Sequence, residues 1–89
     1  MKFLPSYYEA LKREVSELTD QLVPVLSDDE RRWIAEWISV GEYGLAVIAM
    51  LENLRSTADR VGPQATARVR EVALRIGLED EVREYLPPD

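Results

Sequence analysis

The chain of 89 residues contains no cysteine and no histidine. Disulfides, thiolate nucleophiles, imidazole bases and the commonest zinc ligands are therefore excluded together. Long hydrophobic runs are also missing: the longest, Leu45 to Leu51, falls far short of the roughly 20 apolar residues a membrane-spanning helix needs. Residues Met1 to Pro5 lack the basic segment, apolar stretch and small-residue cleavage site of a secretory leader, and the expected location is cytoplasmic. Positive charge is scarce, with 11 Lys and Arg against 17 Asp and Glu and a net charge of −6. Such a balance disfavours nucleic acid and anionic membranes, whose phosphates are bound by excess Lys and Arg, and favours a basic partner. Mild acidity for solubility alone would give the same balance.

What is present describes a folded helical chain. A hydrophobic fraction of 46% with 31% charged residues is ordinary for a globular protein, and the length suits a single domain, residues 1–89, around one modest core. The first helix is expected to start near Ser6, which with Glu9 has the spacing of a capping box. Tyr8, Leu11, Val15, Leu18 and Leu22 recur at intervals of 3 and 4 as one narrow apolar stripe, and Pro24 closes the helix. That stripe suits either the chain's own core or a short coiled-coil seam, with core packing favoured.

Ser27 and Glu30 repeat the capping spacing, with Asp28 and Asp29 placing charge where a helix N-terminus favours it. In the second helix Trp33, Ile34, Trp37 and Ile38 form a broad apolar face, and both tryptophans are expected in the core or at its edge. Gly41 is positioned to end this helix in the left-handed conformation. The third helix should run from Glu42 to Asp59 and, apolar nearly all round, should be buried; Gly44 in its first turn suggests close approach of a neighbouring helix. Gly62-Pro63 marks the next boundary. A fourth helix, Gln64 to Ile76, buries Val69, Val72, Ala73 and Ile76, and a short fifth runs from Glu79 to Tyr85 before Pro87-Pro88. No stretch alternates as a strand does. The expected fold is all-α: a compact bundle of four main helices plus a short C-terminal helix.

Candidate chemistry is sparse. Residues 73 to 86 have the alanine and glycine spacing of a helix-turn-helix, but the would-be reading helix carries Glu79, Asp80, Glu81 and Glu84 against Arg83 alone, which argues against DNA. Arg68, Glu71 and Arg75 read as a ladder on a solvated helix face. No acidic cluster has calcium-loop spacing, no serine has a base beside it, and no phosphate loop occurs. Catalysis is not expected, nor is a metal or other cofactor. The candidate partner-binding residues are Glu36 on the second helix, Glu42 and Tyr43 at the following turn, and Glu52 about two and a half turns on: carboxylates beside an aromatic ring suit a basic protein surface.

The stretch WISVGEYGLAVIAML, followed by ENL, places an amphipathic helix before V-G-E-Y-G-L-A and an apolar run ending M-L-E-N-L. Across Leu26 to Leu54 it resembles the small helical immunity proteins found beside bacterial polymorphic toxins, in particular the MafI-like group. The resemblance implies a stoichiometric inhibitor that binds a cognate toxin domain, a nuclease in some systems of this type, and occludes its active or basic surface. It supplies no binding residues, because immunity surfaces differ with each toxin. The alternative is a homodimeric structural or regulatory module, paired through the first helix or the apolar third.

Overall fold

Three glycines with positive φ divide the polypeptide: Gly41 (80°), Gly62 (94°) and Gly77 (91°). In the computed structural model, which describes residues 5–86 (side chains from residue 6), the helices between these breaks are α1 (Pro5–Leu22), α2 (Asp28–Ser39), α3 (Tyr43–Val61), α4 (Pro63–Arg75) and α5 (Glu79–Tyr85). A 3-10 turn, Val23–Val25, joins α1 to α2, and no strand occurs among the described residues. The fold is an all-α bundle of four main helices and a short C-terminal one.

Each boundary has a local cause. The α-helical part of α1 stops at Leu22, because Pro24 lacks an amide donor and disfavours helical geometry in the residue before it. Ser27 caps α2 in both directions: its hydroxyl accepts from the Glu30 amide at 3.1 Å, and the Glu30 carboxylate accepts from the Ser27 amide at 2.8 Å. At the far end, the Gly41 amide reaches the Ile38 carbonyl and the Glu42 amide the Trp37 carbonyl, the paired bonds of a Schellman motif. The turn at Gly77 repeats the pattern on Leu74 and Ala73. At the other predicted cap the outcome differs: α1 includes Pro5, so Ser6 lies within its first turn and not before it.

One core joins all five helices. Leu11, Val15, Leu18 and Leu22 of α1 meet Ile34 of α2, Val47, Met50, Leu51 and Leu54 of α3, Val69, Val72 and Ala73 of α4, and Val82 of α5. The heptad-like stripe of α1 is thus spent on the chain's own interior, apart from Tyr8, which is exposed. Central α3 packs against every other helix. It is not buried all round as expected, since Leu45 is exposed while Ile48 and Ala49 are half-buried. Gly44 admits no neighbouring helix: a Cβ placed there would meet nothing within 4 Å. On α2 only Ile34 is fully buried; Trp37 and Ile38 are half-buried against the core, and Trp33 is 58% exposed. The reason is angular. At 100° per residue, the arc from Trp33 to Ile38 is wider than an outer helix can cover with α1 and α3, and Trp33 lies at its rim.

Candidate functional site

The four residues singled out from sequence all belong to the α2–α3 hairpin, and the structure distributes them over its surface. Glu36 is exposed on the outer side of α2. Glu42 is exposed at the N-cap position of α3, where its side chain forms no capping bond. Tyr43 is half-buried, packing on the core and lining a cavity of about 470 Å³ with Glu42, Tyr7, Tyr8, Gly44, Ile76 and Gly77. Glu52 lies nine residues further along α3, half a revolution away from Tyr43, and lines a different groove of about 540 Å³ with Val25, Glu30, Asn53, Ser56 and Arg60. Glu42 and Tyr43 are therefore brought together, while Glu52 and Glu36 are not in their cavity.

A buried polar network holds the second groove in shape, and nothing in the reading of the sequence singled it out. The Asn53 side-chain amide donates to the Val25 carbonyl at 3.0 Å and to both Glu30 oxygens, at 3.3 and 3.2 Å. The Thr57 hydroxyl lies 2.7 Å from the Asn53 side-chain oxygen and 2.9 Å from its carbonyl. These bonds tie the 3-10 turn, the start of α2 and the middle of α3 to one another. The signal was present: Asn53 and Thr57 continue the Ala46, Met50 spacing of the buried face, so two polar residues occupy core positions and need partners there.

Glu30 is held below the usual carboxylate range, first by the Ser27 amide, which outweighs the opposing effect of burial, and then by the Asn53 side chain. Its oxygens are occupied by these donors, which makes it a structural anion. Tyr85 is displaced in the other direction: desolvation first, then the nearby Glu52 and Glu84 carboxylates, raise its phenol. Tyr85 is half-buried on α5, so Glu52 has an aromatic neighbour other than Tyr43.

Four of the arginines are paired. Arg31 pairs with Asp28 at 2.6 Å, Arg32 with Asp29 at 3.2 Å, and Arg83 with Asp80. Arg75 reaches across to Glu14 of α1 at 2.6 Å, and that bond raises its pKa; Glu71 on its own helix face adds a weaker electrostatic contribution. Glu36, Glu42 and Glu52 have no ion pair among the described residues.

Beside Glu36 and toward the turn, large apolar groups are exposed. Trp33 and Trp37 stack with ring centroids 6.1 Å apart, tilted by 31°, and Val40 and Leu45 are 61% and 43% exposed. Because Glu30 bonds to Asn53 and α2 returns through Gly41 into α3, the two helices run antiparallel. Trp33 and Trp37, one and two turns beyond Glu30, then stand level with Ala49 and Leu45, one and two turns before Asn53. An aromatic and aliphatic strip thus continues from the polar groove toward the turn, with Glu36 on its α2 side and Glu52 at its groove end. Trp33 was legible as apolar, but not as exposed.

No group of three or more acidic residues among the described residues is arranged to hold a metal ion, and no helix is long and apolar enough to cross a membrane. No protein-family model, curated protein or solved structure matches the chain.

Proposed function

We propose that this chain is an immunity-type binding protein that neutralises a cognate toxin domain by covering its basic or active surface. The observation that carries the reading is a group of exposed carboxylates on the α2–α3 hairpin, Glu36, Glu42 and Glu52, which form no ion pair among the described residues, on a chain of net charge −6. An enzyme that acts on phosphodiesters must present positive potential to its substrate. An acidic protein can occupy that surface, with long-range attraction speeding encounter and apolar contacts holding the complex. The segment Leu26 to Leu54, which resembles the MafI-like immunity proteins, is the hairpin that displays these groups together with its leading turn.

Inhibition of this kind uses no bond-making by the inhibitor, which suits a chain whose ionisable groups are consumed in caps and surface pairs or lie in solvent. The test starts from the gene's neighbours: a large secreted protein with a variable C-terminal domain is expected there, and that domain is co-expressed with this chain. Protection of the cells, together with a one-to-one complex in calorimetry whose affinity falls with added salt, is expected. Failure of the purified proteins to bind at low salt would refute the reading.

A further inference from the structure

We propose that the outer face of the α2–α3 hairpin is a docking surface for a cationic amphipathic segment of a partner protein. On this face the aliphatic side chains of the segment cover Trp33, Trp37, Val40 and Leu45, and its lysines or arginines reach Glu36 and Glu52. The proposal deepens the binding reading above by naming the contact face and the chemistry of its occupant.

Three observations converge on that occupant. First, the strip is apolar but unsealed: Trp33 is 58% and Val40 61% exposed, although the core beneath is closed by Ile34 and Met50, both fully buried. Large exposed apolar groups clustered on one face mark contact surfaces, and tryptophan is the residue most enriched among energetic anchors. Second, the carboxylates at its margins have no ion pair among the described residues. Glu36 shares the α2 stripe with Trp33 and Val40 at intervals of 3 and 4, and Glu52 follows Leu45 by seven residues on α3. The nearest arginines of α2, Arg31 and Arg32, are held by Asp28 and Asp29 in its first turn. Third, the face of an exposed indole attracts ammonium and guanidinium groups, so the tryptophans and the carboxylates favour the same cations. A second copy of the chain would set these carboxylates against each other, whereas a basic amphipathic helix satisfies both halves of the surface. The stripe from Trp33 to Val40 spans about 10 Å, so a helix of roughly two to three turns covers it.

Trp33 and Trp37 are the only tryptophans, which makes the face its own reporter. The probe is a synthetic leucine-lysine amphipathic helix, with a leucine-glutamate helix and a serine-lysine peptide as controls. Saturable change of tryptophan emission is expected with the leucine-lysine peptide alone, weakening as salt rises. Trp33→Ala should weaken binding about tenfold or more, and the double variant Glu36→Lys, Glu52→Lys should weaken it by a similar factor. Both variants alter exposed side chains, and an unchanged far-ultraviolet dichroism spectrum checks that they fold. Equal binding by Trp33→Ala, or amide shift changes concentrated at the Tyr7, Tyr43 cavity, would overturn the proposal. So would a wild-type dimer in sedimentation that Trp33→Ala dissociates, because the occupant would then be a second copy. If the toxin domain binds Trp33→Ala as tightly as wild type, the docking face is wrong and the functional reading stands. If the toxin domain does not bind at all while the peptide retains its dependence on Trp33, the functional reading falls and the docking face stands.

Discussion

Trp33 and Ile34 are adjacent in the chain and belong to opposite regions of the molecule. Ile34 is fully buried between α1 and α3; Trp33, one residue and 100° away, is 58% exposed. Both are large and apolar, and only the first is needed to close the core. The inner face of the α2–α3 hairpin therefore carries stability, whereas the outer face has apolar surface that folding leaves in water. A difference of that kind within one short helix separates what holds the fold from what the fold displays.

The largest expected effects come from breaking the inner side. Ile34→Ala and Leu54→Ala should each cost about 2–5 kcal/mol, because the closed interior cannot collapse fully around the lost atoms. Trp33→Ala should cost less than about 1 kcal/mol despite removing the larger side chain, since most of its surface is already solvated. Urea denaturation checks both. Comparable losses at positions 33 and 34 would erase the distinction between the two faces.

A second test sharpens the boundary between them, where Asn53 donates to Glu30 and to the Val25 carbonyl. Asn53→Asp removes these donors and places a new carboxylate opposite Glu30. A cost of roughly 2–3 kcal/mol is expected at pH 7, from lost hydrogen bonds plus like-charge repulsion. Since the new acid would have its pKa raised in the folded state, the penalty should shrink as the pH falls and the group protonates, which denaturation at pH 7 and pH 4.5 will show. Asn53→Ala lacks the charge, so its penalty should change less over the same range.

Smaller again is the cap. Ser27→Ala should destabilise by about 1 kcal/mol through loss of its bond from the Glu30 amide. Glu30 itself contributes a pH dependence of known direction. Its folded pKa is lowered, so its contribution is complete above the ordinary glutamate value of about 4.3 and is lost as the pH falls through the lower folded value. Glu30→Gln should remove that part of the acid-side loss of stability, measured as the slope of unfolding free energy against pH.

How far these regions could be read from the sequence depends on the range of the forces involved. Ser27 with Glu30, Gly41, and Gly62-Pro63 act within one turn of themselves, so the start of α2, its Schellman end and the α3–α4 boundary follow from neighbouring residues alone. The stripe Leu11, Val15, Leu18, Leu22 has one period and one apolar side, and its burial follows too. Trp33 is different. Its exposure depends on how much of the arc of α2 the other helices reach, a tertiary quantity that periodicity does not contain. Asn53 and Thr57 were readable as polar residues at core positions, but the partners of Asn53, Val25 and Glu30, lie 28 and 23 residues away from it. The candidate set shows the same division: Glu42 and Tyr43, neighbours in sequence, share a cavity, whereas Glu52 is set on another face by half a revolution of α3.

The smallest effect concerns the two glycines that bracket Glu42 and Tyr43, and it reverses a plausible expectation. Gly41 has φ of 80°, where a Cβ strains the backbone, so Gly41→Ala should cost about 1 kcal/mol and loosen the hairpin turn. Gly44 is helical, and the space its side chain would enter is open toward the cavity lined by Tyr7, Tyr43 and Gly77. Among the described residues no packing contact requires a glycine there. Gly44→Ala should therefore stabilise the protein by a few tenths of a kcal/mol, less than the full Gly-to-Ala helix difference of about 1 kcal/mol because the position lies in the first turn. Opposite signs in thermal unfolding at positions 41 and 44 are the expected result. Destabilisation by Gly44→Ala would instead mean that this end of α3 is packed as tightly as the inner face, and that the contrast between the sealed and the open side of the hairpin does not extend to its turn.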